Sequence, residues 1–160
     1  MSKIIFNGKN NPKISTKYDY ISLYQTKESL YDLDKYNSFI KKCERIIRRH
    51  DDYKQYINYL KNEINLNYCM MLSNIDDDMA DIEMHHGPIL TLYDCCAIVT
   101  DYMLNTINKV NTFQVAEIIL EEHFKNNIQV VMLTRTVHQL VHAGEIFINY
   151  KQAFGNIKEF

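Results

Sequence analysis

Four of the six histidines fall into two small groups, and a fold that unites them has little topological freedom left. His85 and His86 are adjacent in Glu83-Met84-His85-His86-Gly87-Pro88, and His138 and His142 sit four apart about fifty residues later. On a helix, residues i and i+4 share a face about one turn apart, so the two imidazoles of the second group can reach one metal ion. Imidazole is the commonest metal ligand, and two from one helix need a third from elsewhere. The His85-His86 pair can supply that third ligand and leave one imidazole free as a base. The first group must then lie against the helix that carries the second.

Local patterns place these groups on elements. Asp81-Ile82-Glu83-Met84-His85 alternates polar and apolar, as a strand does, with Ile82 and Met84 on one side and Glu83 and His85 on the other. Gly87-Pro88 ends it. The β-branched run Ile128–Leu133 predicts another strand. Thr134 is a good N-cap for a helix over Arg135–Ala143, which Gly144 stops. Tyr68–Leu72 also reads as a strand before the acidic turn at Asp76–Asp78, and Glu145–Tyr150 as a last one. Helices are expected over residues 89–108 and over Phe113–Lys125. His123 follows Glu121-Glu122 near the end of the second helix, and these acids suggest a surface position.

The first third of the chain is helical and basic. Apolar residues recur at three- and four-residue spacing from Phe39 through Ile64, with a break expected at Asp51-Asp52. Lys41, Lys42, Arg45, Arg48 and Arg49 fall on the other side, a pattern suited to tracking phosphates or to a solvated face. His50 closes that run and reads as a cation at a helix C-terminus. A short helix is expected around Lys27–Leu33, and residues 1–20 read as an arm or edge segment. The net charge of −2 conceals an asymmetry: 13 Lys/Arg against 7 Asp/Glu up to residue 61, and 5 against 13 beyond it. A basic half joined to an acidic half suggests a polyanion or a protein partner.

The expected class is α+β: a basic N-terminal helical region over residues 1–65, then a region over 66–160 whose two strands are separated by a two-helix insertion at 89–126. Together they make one domain. No apolar run approaches the ~18 residues that span a bilayer, and the N-terminus lacks the apolar core of a signal peptide, so the expected location is the cytoplasm. Cys43, Cys69, Cys95 and Cys96 have no Cys-x-x-Cys spacing and read as reduced core thiols.

The order strand, His-His, strand, helix with His-x-x-x-His resembles the ββα-metal core of the HNH (His-Me finger) nucleases, the colicin-like branch in particular. Asn127-Ile128-Gln129-Val130 through Val137-His138-Gln139-Leu140-Val141-His142 is similar to that family's second half. The chain is also similar to uncharacterised phage proteins with a His-His-x-Pro segment. The resemblance implies that His85, His138 and His142 bind one divalent ion (Zn, Mg, Mn or Ni). It implies that His86 is the general base, and that Asn127, with Asn126 as second choice, orients that base. The implied activity is metal-dependent endonuclease cleavage of DNA, with the basic helix gripping phosphates. The connection of about fifty residues is longer than the family's usual one, and the zinc-knuckle cysteines that often brace the family are lacking.

The chemistry is coherent without the family. Phosphodiester hydrolysis needs an activated water and a cation against the charge developing on phosphate oxygens. A neutral histidine accepts a proton at physiological pH. The alternative is a small phage or host protein-binding modulator with a structural or vestigial metal site, whose acidic C-terminal half docks on a basic partner.

Overall fold

The computed structural model describes residues 24–160, so the arm expected over residues 1–20 lies outside them. Among the described residues the fold is α+β: five α-helices and one two-stranded antiparallel sheet. The helix expected around Lys27–Leu33 is a turn over Lys27–Leu30. Helix α1 (Leu33–Arg49) starts where Asp32 accepts a hydrogen bond from the Lys35 amide, and it buries Phe39, Ile40, Cys43 and Ile47 on one stripe. His50 ends it in an extended conformation, and its Nδ1 accepts from the Asp52 amide to cap α2 (Asp51–Asn62). His50 thus stands at the C-terminus of α1, as expected, and is also the joint to α2, and the break falls where Asp51-Asp52 predicts it.

Strand β1 (Ile82–His86) pairs antiparallel with β2 (Val130–Thr134), with Ile82 opposite Thr134 and His86 opposite Val130. Between them run α3 (Leu92–Thr106), opened by a Thr91–Asp94 capping box, and α4 (Thr112–Phe124), capped by Asn111. Helix α5 (Arg135–His142) leaves β2 directly, because the Thr134 side chain accepts from the Val137 amide. Gly144, with a positive φ, follows its end, as expected.

Neither of the other two expected strands forms. Tyr68–Leu72 is a folded loop whose Cys69 amide donates back to Ile75. It meets β2 once: the Met70 amide donates to the Met132 carbonyl, and the Met132 amide turns to the Met70 sulfur. Glu145–Asn149 is bent and largely exposed, ahead of a 3₁₀ turn at Tyr150–Gln152. The edge of β2 is instead covered by Phe154, which exchanges two backbone hydrogen bonds with Val130. Gly155 makes this approach possible: its φ is +109°, and a Cβ there would stand 2.5 Å from the Ile128 carbonyl oxygen. Closed on both sides, β2 is buried along its whole length.

A two-stranded sheet is marginal alone and needs a covered face. Here one hydrophobic cluster joins all five helices to both strands. Ile40, Ile47, Tyr56, Leu60, Ile119, Met132 and Leu133 lie at its centre, fully buried. All four cysteines are buried free thiols, and burial pushes the Cys43 and Cys95 thiols up to about 12.

Candidate metal centre and its surroundings

Successive side chains of a strand point to opposite faces. In β1 this sends Ile82, Met84 and His86 into the core and leaves Glu83 and His85 half-buried on the other face. The two adjacent histidines therefore belong to different environments. His85 meets α5, where His138 and His142 lie one turn apart. The three ring centroids are 5.0, 5.1 and 4.7 Å from one another. One ring nitrogen from each lies within 4.8 Å of the others. The structure thus brings together the three residues expected as ligands.

The donor set fits a divalent transition metal. His138 and His142 approach through their Nε2 atoms, 3.0 Å apart, comparable with the about 3.4 Å between neighbouring ligands of a tetrahedral ion with bonds of about 2.1 Å. The Nδ1–H of His138 donates to Glu83 Oε2 at 2.7 Å. This fixes the tautomer of His138 and turns its Nε2 toward the other two rings, as carboxylates behind metal-bound histidines do. Burial, with His138 and His142 beside it, pushes the His85 pKa down to about 4, so the ring is neutral at pH 7, the form that can donate a lone pair. Gly87 leaves room for that ring: its φ is +149°, and a Cβ there would lie 3.2 Å from His85 Nε2.

His86 lies on the other face. It is 5% exposed, and its ring stacks nearly parallel on Tyr53 at 6.0 Å. Its Nε2 is 2.9 Å from Nε2 of His123. Burial first, and then the neighbouring His123, hold its pKa well below the ordinary histidine value. It nonetheless borders a cleft of about 180 Å³ together with His85, His138, His142, Glu44 and Arg48.

His123 is the main correction to the sequence reading. Expected at the surface beside Glu121 and Glu122, it is fully buried. Its neighbours along the helix face decide this rather than its neighbours along the chain: Val115, Ile119 and Leu120 precede it at i−8, i−4 and i−3, all buried. That spacing was the available signal. The Asn127 amide donates to Glu122 Oε2 at 2.7 Å, and the Tyr56 hydroxyl donates to Asn126. The group found against His86 is thus His123 rather than either asparagine.

Lys41, Lys42, Arg45, Arg48 and Arg49 are all exposed on α1. Lys41, Arg45, Arg48 and Arg49 line a shallow cleft with Glu44, and Glu44 and Arg48 also border the histidine cleft. The basic face and the histidine cluster are therefore continuous, although Arg48 also contacts Glu44 at 3.7 Å. None of the described helices is long and apolar enough to cross a membrane.

The family model described as bacteriophage G278-like virion protein matches residues 3–160. No curated protein and no solved structure matches the chain.

Proposed function

The chain belongs to the bacteriophage G278-like virion protein family, and from that premise we propose that it is a phage particle protein carrying an HNH-type, metal-dependent endonuclease site for DNA. Its place of action is then the virion and the DNA that accompanies it, rather than the free cytoplasm. The observation that carries this reading is the convergence of His85, His138 and His142 on one point in a strand–strand–helix unit.

Each residue has a distinct task. His85, His138 and His142 would hold one divalent ion, and Glu83 holds the His138 ring in the ligating tautomer. When bound, such an ion supplies positive charge to the phosphate oxygens and stabilises the leaving oxygen. His86, neutral at pH 7 because it is buried, accepts the proton of the attacking water. Arg48 and the α1 basic face hold the DNA backbone beside the cleft, with Lys41, Lys42, Arg45 and Arg49 further along it.

The test is metal analysis of the purified protein together with plasmid nicking in Mg²⁺, Mn²⁺, Ni²⁺ or Zn²⁺. His86→Ala is expected to keep its metal while nicking falls ~10²–10⁴-fold, and His142→Ala to lose metal and nicking together. Wild-type protein that nicks with none of the four ions refutes the reading.

One observation favours a second reading. His86 is almost wholly enclosed by Tyr53 and His123, as suits a core residue. The three-histidine site would then be a structural staple between β1 and α5 in a protein-binding modulator, whose acidic second half meets a basic partner. Such a protein holds metal without nicking DNA.

A further inference from the structure

The hydrogen bonds behind His86 determine where its proton sits. Nδ1 of His123 is 2.7 Å from the Ile119 carbonyl oxygen. A carbonyl only accepts, so His123 Nδ1 carries a hydrogen. Its aromatic neighbours are His86, Tyr53 and Tyr56, and burial keeps it neutral at pH 7. A neutral imidazole has one hydrogen, which leaves His123 Nε2 a bare acceptor. The hydrogen in the 2.9 Å contact between the two rings must therefore come from Nε2 of His86. His86 then keeps its lone pair on Nδ1, the nitrogen that His123 does not touch. Both rings are held in place: Tyr53 stacks on His86, and Tyr53 and Tyr56 each meet His123 edge-on.

We propose that His123 is a positioning residue of the site: through the chain Ile119 carbonyl–His123–His86 it locks His86 in the Nε2–H tautomer and reserves Nδ1 as the proton acceptor. The acceptor role rests on the endonuclease reading above, whereas the tautomer lock does not. The lock also gives the two-helix connection a task. Helix α4 belongs to the segment between β1 and β2, so this segment delivers to His86 the orienting group that neither Asn126 nor Asn127 supplies. A packing role alone would require no particular nitrogen of His123 to be bare, and so predicts no rescue by an acceptor of another shape.

The experiment uses the full chain labelled with ¹⁵N, at pH 7, with long-range ¹H–¹⁵N correlation of the imidazoles. Wild type is expected to show His86 as the Nε2–H tautomer and His123 as the Nδ1–H tautomer. His123→Leu, close in bulk but without an acceptor, should let His86 populate both tautomers. His123→Gln, whose amide oxygen can accept from His86, should restore the wild-type pattern. In the nicking assay the Leu variant should lose ~10–100-fold in kcat, the usual effect of removing an orienting partner, at unchanged KM and metal content, and the Gln variant should recover most of that loss. Wild-type His86 found as Nδ1–H or averaging between tautomers overturns the proposal, as does a Leu variant with the wild-type tautomer. If the Leu variant does not fold, the wild-type spectrum alone decides. If wild type does not nick, the endonuclease reading fails and the spectrum still decides the lock.

Discussion

Acidifying the metal-free protein from pH 7 to pH 4.5 should remove stability in a window set by its buried histidines. His123 is fully buried, and burial moves its pKa from 6.5 down to about 4. Between these values the unfolded chain binds a proton on this residue that the folded chain refuses. Stability is therefore complete above pH 6.5 and is lost as pH falls toward 4. A separation of about 2.5 units corresponds to about 3 kcal/mol at ~1.4 kcal/mol per unit, a substantial part of the 5–15 kcal/mol typical of a domain. His86 is shifted in the same direction by the same cause and steepens the fall. The measurement is the urea midpoint at several pH values in chelator, so that release of metal in acid does not imitate the effect. His123→Leu is the control: it lacks the titrating ring and should lose about 3 kcal/mol less across the window. A wild-type midpoint that stays flat between pH 6.5 and 4.5, or a Leu variant with the same slope as wild type, would show that His123 is not a buried neutral ring.

Three further outcomes follow from single contacts. Glu83→Gln loses the charged acceptor behind His138 and should weaken metal affinity ~10–100-fold in competition with a chromophoric chelator; an unchanged affinity denies Glu83 its role. Arg45→Ala with Arg48→Ala should flatten the log–log dependence of DNA affinity on salt by about two units and leave Tm nearly unchanged, because both side chains are exposed. Gly155→Ala forces a Cβ to within 2.5 Å of the Ile128 carbonyl oxygen at a φ of +109°. It should cost more than ~1 kcal/mol and speed hydrogen exchange at the Val130 amide, which donates to Phe154.

All five helices and both strands could be read from the sequence because each carries its own signal: a 3.6-residue stripe, a capping side chain, an alternation or a β-branched run. The two missing strands illustrate the limit of such signals. Tyr68–Leu72 and Glu145–Tyr150 have strand-like composition, but a strand exists only where a partner's backbone is free to pair. The outer edge of β2 was already occupied, by Met70 at one backbone bond and by Phe154 at two. Neither contact has a local signature. The convergence of His85, His138 and His142 was legible because i,i+4 spacing and strand alternation are local geometry. Glu83 was placed on the His85 face by that alternation, but its bond to His138 crosses 55 residues and no pattern announces it. His123 is buried against the suggestion of its acidic chain neighbours, because the apolar residues on its own helical face set its environment.

The adjacency of His85 and His86 gains a physical meaning from this arrangement. In the proposed site the ion needs an open coordination position, so its ligand His85 belongs on the face that reaches the exposed end of α5, where His142 is solvent-accessible. A ring that must stay neutral, in one tautomer, belongs where water cannot compete for its hydrogen bond, which is the face covered by Tyr53 and His123. One strand can serve both needs only with consecutive residues, because alternation is the sole device that separates two side chains by the thickness of a sheet within 3.4 Å of chain. The same device makes the site intolerant of a register slip, since shifting β1 by one residue would bury Glu83 and His85 and send His86 toward α5. The buried edge of β2, closed by Phe154 and Met70, opposes such a slip from the other side of the sheet.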